Sequence, residues 1–215
     1  AVINIARKMG VRSKIDPVPA ICLGVPEISL AEMTSAFSTF ANHGIYVQPI
    51  LVTRITDANG NVLATFKPQR NEAISEQTAY KMIEMLRAVV AQGTSWRVKG
   101  VYKATGDIAA KTGTTQNQSD GWYIGITPKL ATGVWTGGEE RSIHFNNLEL
   151  GQGASMSLPT WAYYMNRVYA NPALGYSDKD VFEKPQKFDD DMGCKQSKPY
   201  EEPGNNYEII ESVEQ

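Results

Sequence analysis

Residues 109–128 read AAKTGTTQNQSDGWYIGITP. Small residues lead into Lys111-Thr112-Gly113-Thr114-Thr115, a polar loop follows, and a run of aromatic and β-branched residues begins at Gly121. That order reads as strand, loop, strand. Glycine inside a strand marks a close approach of another backbone or a ligand. Threonine hydroxyls beside it can hold a carboxylate, and Lys111 brings positive charge to the same place. An open strand edge can also pair with an extended peptide. Together these features fit a short peptide with a free carboxylate. Residues alternate faces along a strand, so Thr112 and Thr114 point together and Lys111 points away. All three reach one ligand only if the strand is strongly twisted or lies at the sheet edge. A bare Lys-Thr-Gly triplet also occurs on ordinary exposed strands, which favour Thr, so the triplet alone does not decide between site and surface. It is not a phosphate loop: Ala110 replaces the glycine before the lysine, Gly106 is one place too near, and no helix follows.

Working outward, LATGVWTG (130–137) is a third strand, joined to the second through Thr127-Pro128-Lys129 at a length that suits a tight antiparallel hairpin. Downstream, Ser157-Leu158-Pro159 opens a helix with Trp161, Met165 and Val168 on one face. Upstream, a helix follows Ser75, with Ala79, Met82, Ile83, Leu86, Val89 and Val90 facing inward and Gly93 as its stop. Residues 98–107 read as a loop. Residues 45–68 read as a hairpin turned at Asn59-Gly60. Before it, Ser29 and Glu32 form a capping box for a helix bearing Leu30, Met33, Phe37 and Phe40, ended by Gly44. Residues 14–29 are a proline-broken loop, and a first helix with Val2, Ile5 and Met9 on one face runs to Gly10. Helices segregated against an antiparallel sheet make an α+β fold. Composition shifts near Tyr176, so residues 1–176 are expected to form the domain. Residues 177–215, acidic and proline-dotted, are expected to be a flexible or surface-draped tail.

Bulk composition excludes several classes. The 215 residues are 42% hydrophobic and 20% charged, ordinary for a globular chain. A formal net charge of -2 leaves no basic excess to neutralise phosphates, so nucleic acid is not an expected partner. No apolar run is long enough to span a bilayer. Cys22 and Cys194 are isolated and form no zinc spacing, and His43 and His144 stand alone, so no metal or other cofactor is expected. His43 reads as a helix-end residue. Trp122, Tyr123 and Trp135 read as core aromatics of alternating strands. Asp120 reads as a strand-end anchor, and Asn117-Gln118-Ser119 as polar loop residues that match a glycosylation sequon by chance.

Context around the triplet narrows the reading. Lys111-Thr112-Gly113-Thr114 is followed by a polar loop, then by Asp120, Trp122, Tyr123 and Gly125, a hairpin, and Val134-Trp135 with Gly137. This ordered set resembles the third motif of the penicillin-binding transpeptidases. The segment 23–55, with Ala41, Asn42 and Gly44, is similar to an upstream segment of the same family, and Gln92-Gly93-Thr94-Ser95 resembles its Gly-Thr-Gly/Ala segment. The likeness runs over about residues 1–170 and is closest to the bifunctional, class A type. It implies a partial penicillin-binding, serine β-lactamase-like fold.

The family's nucleophile is the serine of a Ser-x-x-Lys motif, and a Ser-x-Asn motif follows it. Neither occurs anywhere in this sequence. The resemblance therefore implies that both lie upstream of Ala1, and that this chain holds one wall of an active site and is inactive alone. In the intact D,D-transpeptidase, an upstream serine attacks a peptidoglycan stem peptide, and an amine from a neighbouring stem resolves the acyl-enzyme. By resemblance, Lys111 and Thr114 are the catalytic residues. Lys111 holds charge in the site, and the Thr114 backbone N–H is one of two oxyanion donors. Thr112, Gly113, Thr114 and Thr115 bind substrate, with the Thr112 and Thr114 hydroxyls on the carboxylate of a stem peptide or β-lactam. The implied location is the extracytoplasmic face of a bacterial inner membrane, with the anchor elsewhere in the protein. A β-lactamase or D,D-carboxypeptidase, or a non-catalytic interaction module using the acidic tail, are the alternative classes. Sheet strands expected from before Ala1 would leave an edge uncovered, so self-association is also expected.

Overall fold

The computed structural model describes residues 1–189. In chain order the elements are helix α1 (Val2–Lys8), helix α2 (Leu30–Ala41), strands β1 (Ile45–Val47), β2 (Arg54–Thr56), β3 (Val62–Thr65) and β4 (Arg70–Glu72), and helices α3 (Glu76–Gln92) and α4 (Arg97–Gly100). Strands β5 (Ala109–Thr114), β6 (Asp120–Thr127) and β7 (Leu130–Gly137) follow, then helices α5 (Leu148–Gly151), α6 (Gly153–Met156) and α7 (Leu158–Tyr169). The main sheet is antiparallel, ordered β5-β6-β7. The β6–β7 register pairs Thr127 with Leu130, leaving only Pro128 and Lys129 in the turn.

Strand alternation divides this sheet into two faces. On one, Ala110 and Tyr123 pack with Leu158, Trp161, Ala162 and Met165 of α7. Gly125 makes room there: a Cβ at this position would sit 2.4 Å from the Trp161 indole. On the other face, Ala109 and Ile126 pack against Tyr80, Ile83 and Leu86 of α3, with Phe37 and Phe40 of α2 beside them. The sheet is thus sandwiched between α7 and the α2–α3 pair, and helices on an antiparallel sheet are the α+β arrangement expected.

Local chemistry explains the helix starts. The Ser29 side chain accepts from the Glu32 N–H while the Glu32 carboxylate accepts from the Ser29 N–H, a complete capping box for α2. Glu32 also accepts from the backbone N–H groups of Arg12 and Ser13 and from the Ser13 hydroxyl, which ties the proline-rich loop to the helix start. Burial pushes its carboxyl up, but these hydrogen bonds outweigh burial and hold the pKa at about 2. Ser75 caps α3 through the Thr78 N–H.

Several elements differ from expectation. Residues 45–68 do not form one continuous hairpin. A short hairpin, β2–β3, sits beyond a separate pair, β1–β4. Pro49 and Pro68 lie where the ladder would run through, and neither has an N–H to donate. Residues 98–107 are not wholly loop, because Val98 is fully buried and anchors the one-turn α4. No residue of α1 is buried: Val2 and Ile5 stay exposed, and only Met9, just past its end, enters the core. His43 does not cap α2 with its ring but lies 3.0 Å from Glu76 at the start of α3. Residues 177–189 run back over α3. Phe182 is buried there, Phe188 stacks edge-on with Tyr80, and Asp180 pairs with Lys129. The remainder of the acidic segment, 190–215, including Cys194, lies outside the described residues.

Candidate active site

Strand β5 carries Lys111 through Thr114, and it is the outer strand of its sheet, with no strand on its far side among the described residues. The direction of its backbone groups follows from one bond. The Thr115 N–H donates to the Asp120 carbonyl at 3.2 Å, so this pair is of the hydrogen-bonded type. Antiparallel pairs alternate between bonded and non-bonded types, and the register pairs Thr114 with Gly121 and Thr112 with Tyr123. Thr112 and Thr114 are therefore of the non-bonded type. Their N–H and C=O groups point away from β6, to the open edge.

Side chains converge on that edge from both faces. Thr112 and Thr114 share the α7 face with Ala110. The Thr114 hydroxyl accepts from the Gly153 N–H at the start of α6, at 3.0 Å. The Thr112 hydroxyl lies 2.6 Å from that of Thr94, just past the end of α3. Lys111 belongs to the opposite face, yet its ammonium curls around the edge to donate to the Thr112 carbonyl at 2.6 Å. Edge placement is what lets residues of opposite faces serve one spot. Although part of the Lys111 side chain is exposed, burial lowers its pKa below the ordinary lysine value.

Gly113 sits opposite Trp122, where an added Cβ would meet the Trp122 Cβ at 3.0 Å. Gly153 is tighter: its Cβ would lie 2.3 Å from the Gly113 carbonyl oxygen and 2.5 Å from that of Trp122. The absence of a side chain at Gly153 lets the α6 backbone rest directly on the Gly113 strand and deliver its N–H to Thr114.

Thr115 is not brought to this cluster. Its hydroxyl is 3.0 Å from the Ser119 hydroxyl and accepts from the Asp120 N–H at 3.1 Å, which closes the loop between β5 and β6. Asp120 anchors that loop and accepts from the Trp122 indole N–H at 3.1 Å. Tyr123 is fully buried, but Trp135 is not the core residue expected: it is 43% exposed. Thr34 and Leu30 of α2 cover β7 at Gly133, and Trp135 lies two residues further along the strand. Sequence reasoning assigned no role to Thr94 or Gly153. Gln92-Gly93-Thr94-Ser95 stood out as a segment, but nothing in it shows which strand residue its hydroxyl meets. His144 is exposed and, among the described residues, bonds only its neighbour's carbonyl, at 3.1 Å. Among the described residues no cluster of His, Cys, Asp and Glu is arranged to hold a metal.

Comparison with known proteins identifies the family. The penicillin-binding protein transpeptidase domain family matches residues 20–138, which include Thr94 and all of β5. Penicillin-binding protein 1A of Aquifex aeolicus is 32% identical over 173 residues, covering 79% of this chain and 23% of that protein. The chain thus spans about a quarter of the length of that curated relative. Among solved structures, penicillin-binding protein 1A of Haemophilus influenzae superposes with a TM-score of 0.70 at 22% identity, over 86% of this chain and 34% of the other, a likeness of fold. The PonA1 protein of Mycobacterium tuberculosis, solved in complex with penicillin V, gives a TM-score of 0.64 at 25% identity, over 87% of this chain and 53% of the other. The family model spans residues 20–138, more than half of the chain, and that match carries the assignment: the chain belongs to the penicillin-binding protein transpeptidase family.

Proposed function

We propose that this chain forms one wall of the active site of a serine D,D-transpeptidase that cross-links peptidoglycan stem peptides and is acylated by β-lactams. One observation supports this most directly. The Thr112 and Thr114 hydroxyls, the outward N–H of Thr114 and the Lys111 ammonium meet at a single open strand edge. Chemically that edge offers what acyl transfer to a carboxylate-bearing peptide requires. Two hydroxyls can bind the carboxylate, an aimed backbone N–H can hold a developing oxyanion, and a lysine supplies positive charge. No serine of the 215 residues has a lysine three places on. The nucleophile therefore comes from residues outside this sequence, and the chain alone is inert towards substrate. The protein acts at the extracytoplasmic face of the membrane, where its substrate lies; no helix among the described residues is long and apolar enough to cross it.

The test is labelling of the full-length protein by a fluorescent penicillin. The wild type is expected to label covalently. Lys111→Ala is expected to lose labelling by at least about a hundredfold, the scale of removing one electrostatic partner of an acyl-transfer site. Labelling of Lys111→Ala at the wild-type rate would rule out this edge as the active-site wall.

A further inference from the structure

We infer that Thr94 is a positioning residue for ligand carboxylates, acting through the Thr112 hydroxyl. This rests on the transpeptidase reading above. Two hydroxyls on one face of β5 face the same task, and each is backed by a hydrogen-bond partner from a different part of the chain. Behind Thr114 stands the Gly153 N–H, at 3.0 Å. Behind Thr112 stands the Thr94 hydroxyl, at 2.6 Å. A threonine hydroxyl has one proton to give and two lone pairs to fill. Once the Thr114 oxygen accepts from Gly153, its own proton is free to point outward.

The Thr94–Thr112 pair has two possible directions. If Thr112 donates to Thr94, its proton is spent and a lone pair faces the ligand. If Thr94 donates to Thr112, the Thr112 proton is released towards the open edge. An ionised carboxylate only accepts, so a bound ligand selects the second direction. The chain Thr94 to Thr112 to carboxylate is then polarised along its length, which strengthens the terminal bond. Thr94 is exposed, and a hydrogen bond between exposed hydroxyls adds little to folding, so a fold-holding role does not account for it. Its backbone position follows from the sequence: Gly93 ends α3, and the chain turns so that Thr94 passes beside β5 before the buried Ser95 enters the core.

The readout separates ligands with and without the carboxylate. In the full-length protein, second-order acylation rates would be measured with benzylpenicillin and with its methyl ester. Thr94→Val removes the hydroxyl at nearly constant volume, and its benzylpenicillin-to-ester rate ratio is expected to fall about fivefold, the scale of the neutral hydrogen bond that it deletes behind Thr112. Thr94→Ser is expected to restore the ratio. In a Thr112→Val background, Thr94→Val is expected to change the ratio no further. An unchanged ratio in Thr94→Val, whatever happens to the absolute rates, would overturn the inference while leaving the transpeptidase reading intact. Failure of benzylpenicillin to acylate the wild type would overturn that reading and the inference with it.

Discussion

Replacing Asp107 by Ala probes how the candidate strand is held from behind. Asp107 lies just ahead of β5. Its carboxylate receives Arg87 Nε at 2.8 Å, pairs with a second guanidinium nitrogen, and accepts the Phe182 N–H at 2.9 Å. The Arg87 guanidinium also lies 5.3 Å from the Phe182 ring centroid. One carboxylate thus links α3, the approach to β5 and the segment 177–189. The Asp107 side chain is 15% exposed and that of Arg87 26%. Breaking a buried pair by deleting one partner costs about 3–5 kcal/mol. Arg87 keeps Glu84 and the Tyr80 hydroxyl and is partly solvated, which brings its share down to about 2 kcal/mol. The unpaired Phe182 N–H adds about 1 kcal/mol, for a total of about 3 kcal/mol. For a chain of this size that corresponds to a fall in Tm of roughly 6–12 °C. Urea unfolding followed by circular dichroism measures the loss, and Arg87→Met/Asp107→Ala completes a cycle in which the costs are strongly non-additive. A loss below about 1 kcal/mol in Asp107→Ala, or simple additivity in the cycle, would refute the clamp.

Other expectations follow from single contacts. Gly153→Ala places a methyl 2.3 Å from the Gly113 carbonyl oxygen, so thermal unfolding should show a loss of about 2 kcal/mol or more. Unchanged Tm would show that α6 does not rest on β5. Glu32 has a depressed folded pKa, so the stability it contributes is fully present above its ordinary value and is lost as pH falls towards about 2. Glu32→Gln should therefore cost about 1–2 kcal/mol at pH 7 and almost nothing near pH 2, and an equal cost at both would count against the carboxylate's role. The outer edges of β5 and β7 have no paired strand among the described residues, so the 215-residue chain is expected to self-associate. Light scattering showing a single monomeric species at high concentration would exclude this.

Much of the scaffold could be read from local chemistry. The Ser29–Glu32 box, the Ser75 cap, the Thr127–Leu130 turn and the α3 stripe of Ala79, Ile83, Leu86 and Val90 all depend on neighbours within a few positions. Legibility failed where the deciding contact is distant. Tyr80 was not on the expected inward face of α3, yet it is buried because Phe182 and Phe188 return to meet it. Helices α5 and α6 are single turns with no period to detect, and the importance of Gly153 comes from a strand about forty residues earlier in the chain. The split at 45–72 did have a signal, in Pro49 and Pro68, which the turn at Asn59-Gly60 overshadowed. For the site itself, the motif named Thr112 and Thr114 and raised the objection that Lys111 faces away. Only the edge position of β5 answers it, and edge position belongs to the sheet order rather than to the strand.

The most direct test of the central claim is intact-mass spectrometry of the 215-residue chain after incubation with excess benzylpenicillin, beside the full-length protein treated alike. The expected result is no adduct on the chain and one stoichiometric penicilloyl adduct on the full-length protein. A stoichiometric adduct on the chain would contradict the account, because one of its own serines would then be the nucleophile.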